Sequence, residues 1–134
     1  MTMSNFSDVQ LFHRKFRLEM STTPSLLPPD LLEFRNTFMS EELEEFIKAH
    51  SKGDLAGAAD ALIDLVYVAM GTAALMGLPW EPLWREVQEA NMRKVKVPRP
   101  GADPTQRGGI YDVVKPPSWE PPDIARVLAE HGAP

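Results

Sequence analysis

The sequence predicts an all-α fold, and three observations predict it. Apolar residues recur at helical spacing through three long segments. Gly, Pro and Asp residues fall where helices of that length should start and stop. No stretch alternates apolar and polar residues convincingly enough to read as a strand, and no internal repeat is present.

Each element follows from local chemistry. Residues Phe6 to Leu18 read as a first helix, with Val9, Phe12, Phe16 and Leu18 as its apolar positions. The segment STTPSLLPP is a loop by its Pro and Ser/Thr content. Asp30 follows two prolines and precedes Glu33 by three residues, which predicts a capping box and a long helix running to about His50. Gly53 stops that helix, and Asp54 is placed to cap the next one, which continues to about Met76 and ends at Gly77. PWEP then opens a further helix whose Leu83, Val87 and Ala90 form one buried stripe.

Beyond Val95 the composition changes. Seven of the 13 prolines lie between Pro98 and Pro122, together with Gly101, Gly108 and Gly109. This predicts residues 1–95 as a helical catalytic domain and 96–134 as an extended, Pro/Gly-rich tail packed on it or on a partner subunit. A short terminal helix is expected from Pro122 or Asp123 to Gly132.

The chain has 134 residues, 43% hydrophobic and 25% charged, as in ordinary globular domains. It contains no Cys, which excludes disulfide scaffolds, iron–sulfur centres and thiol nucleophiles. A formal charge of −5 argues against a nucleic-acid polymer as partner and favours cations or cation-loaded phosphate compounds. The N-terminal residues lack the pattern of a secretory signal. Residues Gly57 to Leu78 are the most apolar, but Asp60 and Asp64 lie among them. Each would cost about 2.5–3.5 kcal/mol near the centre of a membrane helix, so the expectation is a buried helix of a cytoplasmic protein without membrane contact.

The chemical signal is acidic. Glu41, Glu42 and Glu45 stand within one turn of the long helix, and Asp60 and Asp64 are four apart on the next. Only the turn at Ser51–Asp54 separates the two helices, so they should pack antiparallel with both groups at comparable depth. EELEE alone would suit a solvated face. Asp60 and Asp64, however, share a stripe with Tyr67 and Gly71 in a helix that supplies no basic partner. Buried carboxylates of that kind need compensation, and Mg²⁺ or Mn²⁺ bound by oxygen donors would supply it.

Asn91 and Lys94 end the third long helix. Lys94 suits either the helix macrodipole or a phosphate. HRKFR, from His13 to Arg17, reads as a solvated basic face, and His13, His50 and His131 have no metal-ligand spacing. Phe12, Tyr67, Trp80 and Trp84 are aromatics able to stack on a base or to fill a core. There is no phosphate loop of the P-loop type.

FMSEELEEFIKA, GDLAGAADALIDLVYVAMGTA and EVQEANMRKV together resemble the all-α nucleoside triphosphate pyrophosphohydrolases. This MazG-like group includes phosphoribosyl-ATP pyrophosphohydrolases and dimeric dUTPases. The resemblance spans about residues 30 to 95 and extends loosely into KPPSWEPPDI. It implies a divalent metal held by Glu42 and Glu45 of an EExxE motif and by Asp64 of an ExxD motif. Ala61 stands where ExxD has its Glu, and Asp60, one residue earlier on the same face, takes that duty. Glu41 is implied as the residue that positions the attacking water, and Asn91 and Lys94 as contacts to substrate phosphates, with Lys115 as a further candidate.

The implied reaction is metal-dependent cleavage of a nucleoside triphosphate between the α and β phosphates, in a homodimer or homotetramer. No residue in the sequence selects the base. The relatives lean toward a purine, with (d)GTP ahead of (d)ATP, and a pyrimidine such as dUTP or dCTP or phosphoribosyl-ATP is the rival within the same fold. A different class of reading is a non-catalytic helical interaction module whose Asp60 and Asp64 pair with basic residues of another subunit.

Overall fold

The computed structural model describes residues 3–98 and 111–134. Its order is α1 (Asn5–Lys15), α2 (Pro29–Ser51), α3 (Leu55–Leu75), α4 (Trp80–Met92), β1 (Val95–Pro98), β2 (Tyr111–Val114) and α5 (Ile124–Glu130). The protein is all-α with one small hairpin. The chain forms two compact units, one of Met1–Trp80 with Leu128–Pro134 and one of Glu81–Val127.

In the first unit α2 and α3 pack as a helical hairpin, with α1 on α3. The packed face of α3 is built mostly from small residues, with Ala58, Ala61, Gly71, Ala73 and Ala74 buried beside Val68 and Leu75. Phe6 stacks on Trp80 at 5.4 Å and joins Ala73 and Ala74 in a cluster closed by Met20, Met70 and Leu78. By length and composition α3 could cross a membrane, yet its buried face is spent on the other helices.

The helix ends explain the chain path. Asp54 caps α3 by accepting a hydrogen bond from Gly57 N at 2.9 Å. Ser4 and Ser7 form a reciprocal capping box on α1. Asp30 is not the cap of α2: the helix begins at Pro29 with no side-chain cap, because a proline's fixed φ already suits the first helical position. Gly77 closes α3 with φ +67°, and a Cβ there would lie 2.6 Å from the Ser21 carbonyl and 2.8 Å from that of Thr23. Glycine is therefore required twice over, for conformation and for space. The same C-terminal hydrogen-bond pattern ends α1, but with Arg17 in the left-handed region at φ +55°.

Two further expectations need correction. Phe12, Phe16 and Leu18 are exposed, and the buried positions of α1 are Phe6, Val9 and His13. The helix turns that stripe inward, so His13 belongs to the interior and not to a solvated basic face. In addition, Val95–Pro98 pairs antiparallel with Tyr111–Val114, where no strand was expected. At four residues each, these strands are too short for alternation to register. Residues 99–110, on which much of the Pro/Gly-rich tail reading rests, lie outside the described residues.

Within the second unit, Glu86 on α4 binds the start of α5. It accepts from Asp123 N at 3.0 Å and pairs with Arg126 at 3.0 Å, while Asp123 Oδ1 accepts from Arg126 N at 3.2 Å.

Candidate functional site

The α2–α3 hairpin places the two acidic groups against each other. Glu42 projects from α2 toward α3, where it lines a cavity of about 340 Å³ with Asp64, Phe12, Phe38, Tyr67 and Val68. Burial pushes its carboxyl above the ordinary range, and the carboxylates of Glu45, Asp64 and Asp60 push the same way. A hydrogen bond with Glu45 adds to this. One Glu42 oxygen, Oε2, is buried without a hydrogen-bond partner among the described residues.

Of the predicted residues, Glu45, Asp64 and Asp60 lie near enough to Glu42 to act on its charge. Their order of influence on Glu42 is Glu45, Asp64, then Asp60. Asp64 is half-buried and Asp60 exposed, while Ala61 is buried at 3% on the packed face of α3. A longer acidic side chain at position 61 would start from inside the helix interface. Glu41 is exposed beside Glu42 and is not among the charges acting on it.

Four carboxylates with one orphaned buried oxygen suit a hard divalent cation in donor chemistry and charge. Among the described residues, no three His, Asp or Glu side chains are drawn close enough to form a finished metal cage. A cation here would require side-chain rotation, and Glu45 and Asp60 are both exposed.

The predicted phosphate contacts lie in the second unit. Lys94 and Lys115 come together over one indole: their ammonium groups sit 5.8 Å and 4.7 Å from the Trp119 ring centre. Trp119 is fixed from below, its Nε1 donating to the Ala90 carbonyl at 2.7 Å. Asn91 is exposed at the end of α4, and its carbonyl accepts from Lys94 N at 3.1 Å.

Sequence reasoning missed a second polar pair in the first unit. Arg35 on α2 is buried at 7% exposure and His13 on α1 at 2%. Arg35 Nε donates to Thr72 Oγ1 at 3.0 Å, and Nη2 donates to the Val68 carbonyl at 2.8 Å. The spacing held the signal. His13 follows Phe6 and Val9 by seven and four residues, and Arg35 sits between Leu31 and Phe38.

Of the four aromatics, Phe12 and Tyr67 line the cavity beside the carboxylates in edge contact at 5.6 Å. Trp80 is spent on Phe6, and Trp84 is exposed on α4.

Residues 9–91, more than half of the chain, match the family model of phosphoribosyl-ATP pyrophosphohydrolase. No curated protein gives a significant match to the chain. The chain belongs to the phosphoribosyl-ATP pyrophosphohydrolase family, within the MazG-like all-α nucleoside triphosphate pyrophosphohydrolase superfamily.

Proposed function

We propose that this member of the family is a metal-dependent nucleoside triphosphate pyrophosphohydrolase. It cleaves between the α and β phosphates to give a nucleoside monophosphate and pyrophosphate. The observation that carries the reading is the buried Glu42 oxygen without a partner among the described residues, on a side chain that the charges of Glu45, Asp64 and Asp60 act on. A cluster of like charges with no basic partner among the described residues is costly unless a cation joins it.

Glu42, Glu45, Asp60 and Asp64 would hold Mg²⁺ or Mn²⁺, which would supply water activation and neutralise phosphate charge. The chain's own residues do the rest. Glu42 would serve as a ligand in its carboxylate form, so a proton held there would leave on metal binding. Glu41, free on the solvent side, takes the proton of the water that attacks the α phosphorus. The new P–O bond forms as the bond to the β-phosphate oxygen breaks, and pyrophosphate leaves. Asn91, Lys94 and Lys115 contact the substrate phosphates.

The substrate is a purine nucleoside triphosphate, with (d)GTP first. The family's own name supplies a second reading, phosphoribosyl-ATP, in which the same bond is cut. The protein acts as a homo-oligomer in the cytoplasm, apart from membranes and nucleic acids. Leu43, Ile47, Leu62 and Ile63 leave apolar surface on α2 and α3, 47–66% exposed, for a second copy to cover.

The test incubates the protein with each common ribo- and deoxyribonucleoside triphosphate and with phosphoribosyl-ATP, in the presence of Mn²⁺, and assays pyrophosphate. The expected result is stoichiometric monophosphate and pyrophosphate, lost on chelation. Release of orthophosphate, or no turnover of any substrate, contradicts the proposal.

A further inference from the structure

A larger cavity of about 470 Å³ adjoins the carboxylate cavity and shares Phe12, Phe38, Tyr67 and Val68 with it. Its volume falls within the roughly 300–1,000 Å³ of small-molecule sites. Its wall is mainly aromatic and aliphatic, but Arg35, His13 and Glu19 also line it. The function proposed above does not use these three.

Arg35 is the unusual member. Its guanidinium is buried, and among the described residues no carboxylate pairs with it. A guanidinium carries five N–H donors, and the bonds to Thr72 and Val68 engage two. His13 Nδ1 is likewise buried without a partner among the described residues. Burial and the adjacent Arg35 hold His13 below its ordinary value, which favours the neutral imidazole with its one donor and one acceptor. Gly71 makes the arrangement fit: a Cβ there would lie 2.7 Å from Arg35 Nη2 and 2.9 Å from His13 Nε2.

Resting on the pyrophosphohydrolase reading, we propose that this cavity is the base pocket of the substrate, in which Arg35 and Glu19 select guanine. The occupant must be largely apolar and flat to suit the aromatic wall, which favours a base over a phosphate. It must also offer acceptors to the spare Arg35 donors. Guanine has adjacent acceptors, O6 and N7, on one edge, the pair that arginine binds in a bidentate manner. On its other edge N1–H and the N2 amino group are adjacent donors, which a carboxylate such as Glu19 accepts. Adenine turns a donor toward Arg35, and no other common base combines both pairs. His13 packs beside Arg35 and completes the polar end of the pocket.

The test reads pyrophosphate release with Mn²⁺ on GTP, ITP, 7-deaza-GTP, ATP and CTP, so that substrate atoms change while the protein does not. Loss of the N2 amino group or of N7 lowers kcat/KM by about tenfold each, and ATP and CTP fall further. Glu19→Gln, at the exposed rim, brings the GTP to ITP ratio toward one. Arg35→Lys brings the GTP to 7-deaza-GTP ratio toward one; should it fail to fold, the wild-type series decides. Equal rates on all five substrates overturn the proposal, as does an Arg35 variant that slows all five by one common factor. Equilibrium dialysis with guanosine and adenosine, without metal, separates the two readings. Guanosine binding without turnover of any triphosphate leaves the pocket standing and removes the pyrophosphohydrolase. Turnover indifferent to base, with no guanosine binding, does the reverse.

Discussion

Along the α2–α3 hairpin, the stretch around Glu42 and Asp64 and the stretch around Arg35 and Gly71 handle charge in opposite ways. On α2 the two lie seven residues apart, about 10 Å of helix. The acidic stretch is partly open, gathers four carboxylates and leaves an oxygen without a partner. The basic stretch buries one guanidinium and one imidazole beside the larger cavity, and satisfies the guanidinium in part from the α3 backbone. Neither stretch neutralises the other. A bundle built for stability alone would fill both with apolar side chains. On the proposed reading, the difference matches a ligand that needs cations at one end and has acceptors on a flat body at the other.

Removing the acidic stretch should have the largest effect. Glu45→Ala or Asp64→Ala abolishes pyrophosphate release while far-UV circular dichroism keeps its helical signal. Activity near that of the wild type in either variant breaks the assignment. At the basic stretch, Gly71→Ala forces a methyl group against Arg35 and His13 and lowers stability by about 1–3 kcal/mol in urea unfolding. An unchanged midpoint would mean that the two side chains have free room.

The two stretches also titrate in opposite directions. Glu42 binds its proton more readily folded than unfolded. Its contribution in the metal-free protein is therefore fully present below the ordinary glutamate value and lost as pH rises through the raised one. His13 holds its proton less readily folded than unfolded. Its contribution is present above the ordinary histidine value and lost as pH falls through the lowered one. Unfolding midpoints followed across these windows should lose the decline on rising pH in Glu42→Gln and the decline on falling pH in His13→Asn. Identical profiles for the wild type and both variants contradict the opposition.

The smallest effect is local. Arg17 occupies a left-handed position that glycine takes at Gly53, Gly77 and Gly132, so Arg17→Gly relieves strain. It should raise stability by about 0.5–1 kcal/mol, read as a higher urea midpoint without a change in activity. Because the turn leads directly to Leu18 and Glu19, a drop in activity would tie its strain to the pocket.

Much of this was legible in the sequence, and the reasons are local. Asp54 caps α3, and Gly53 and Gly77 end helices because those signals act within a few residues. The meeting of Glu42 with Asp64 followed from helical spacing plus a short turn. His13 and Arg35 were hidden for a different reason: polar side chains on a buried stripe score as surface until the apolar neighbours are counted around them. The approach of Lys94 and Lys115 depends on Trp119, 25 residues beyond Lys94, and contacts at that separation leave no periodic trace. The β1–β2 pairing was illegible for the same reason, compounded by the length of the strands.

The central claim is that Glu42, Glu45, Asp60 and Asp64 gather a divalent cation. Calorimetric titration of Mn²⁺ into the metal-free wild type and into Asp64→Ala tests it most directly. Saturable binding with proton release in the wild type, absent from the variant, is the expected result. No saturable binding to the wild type, or equal binding to both, would contradict the account.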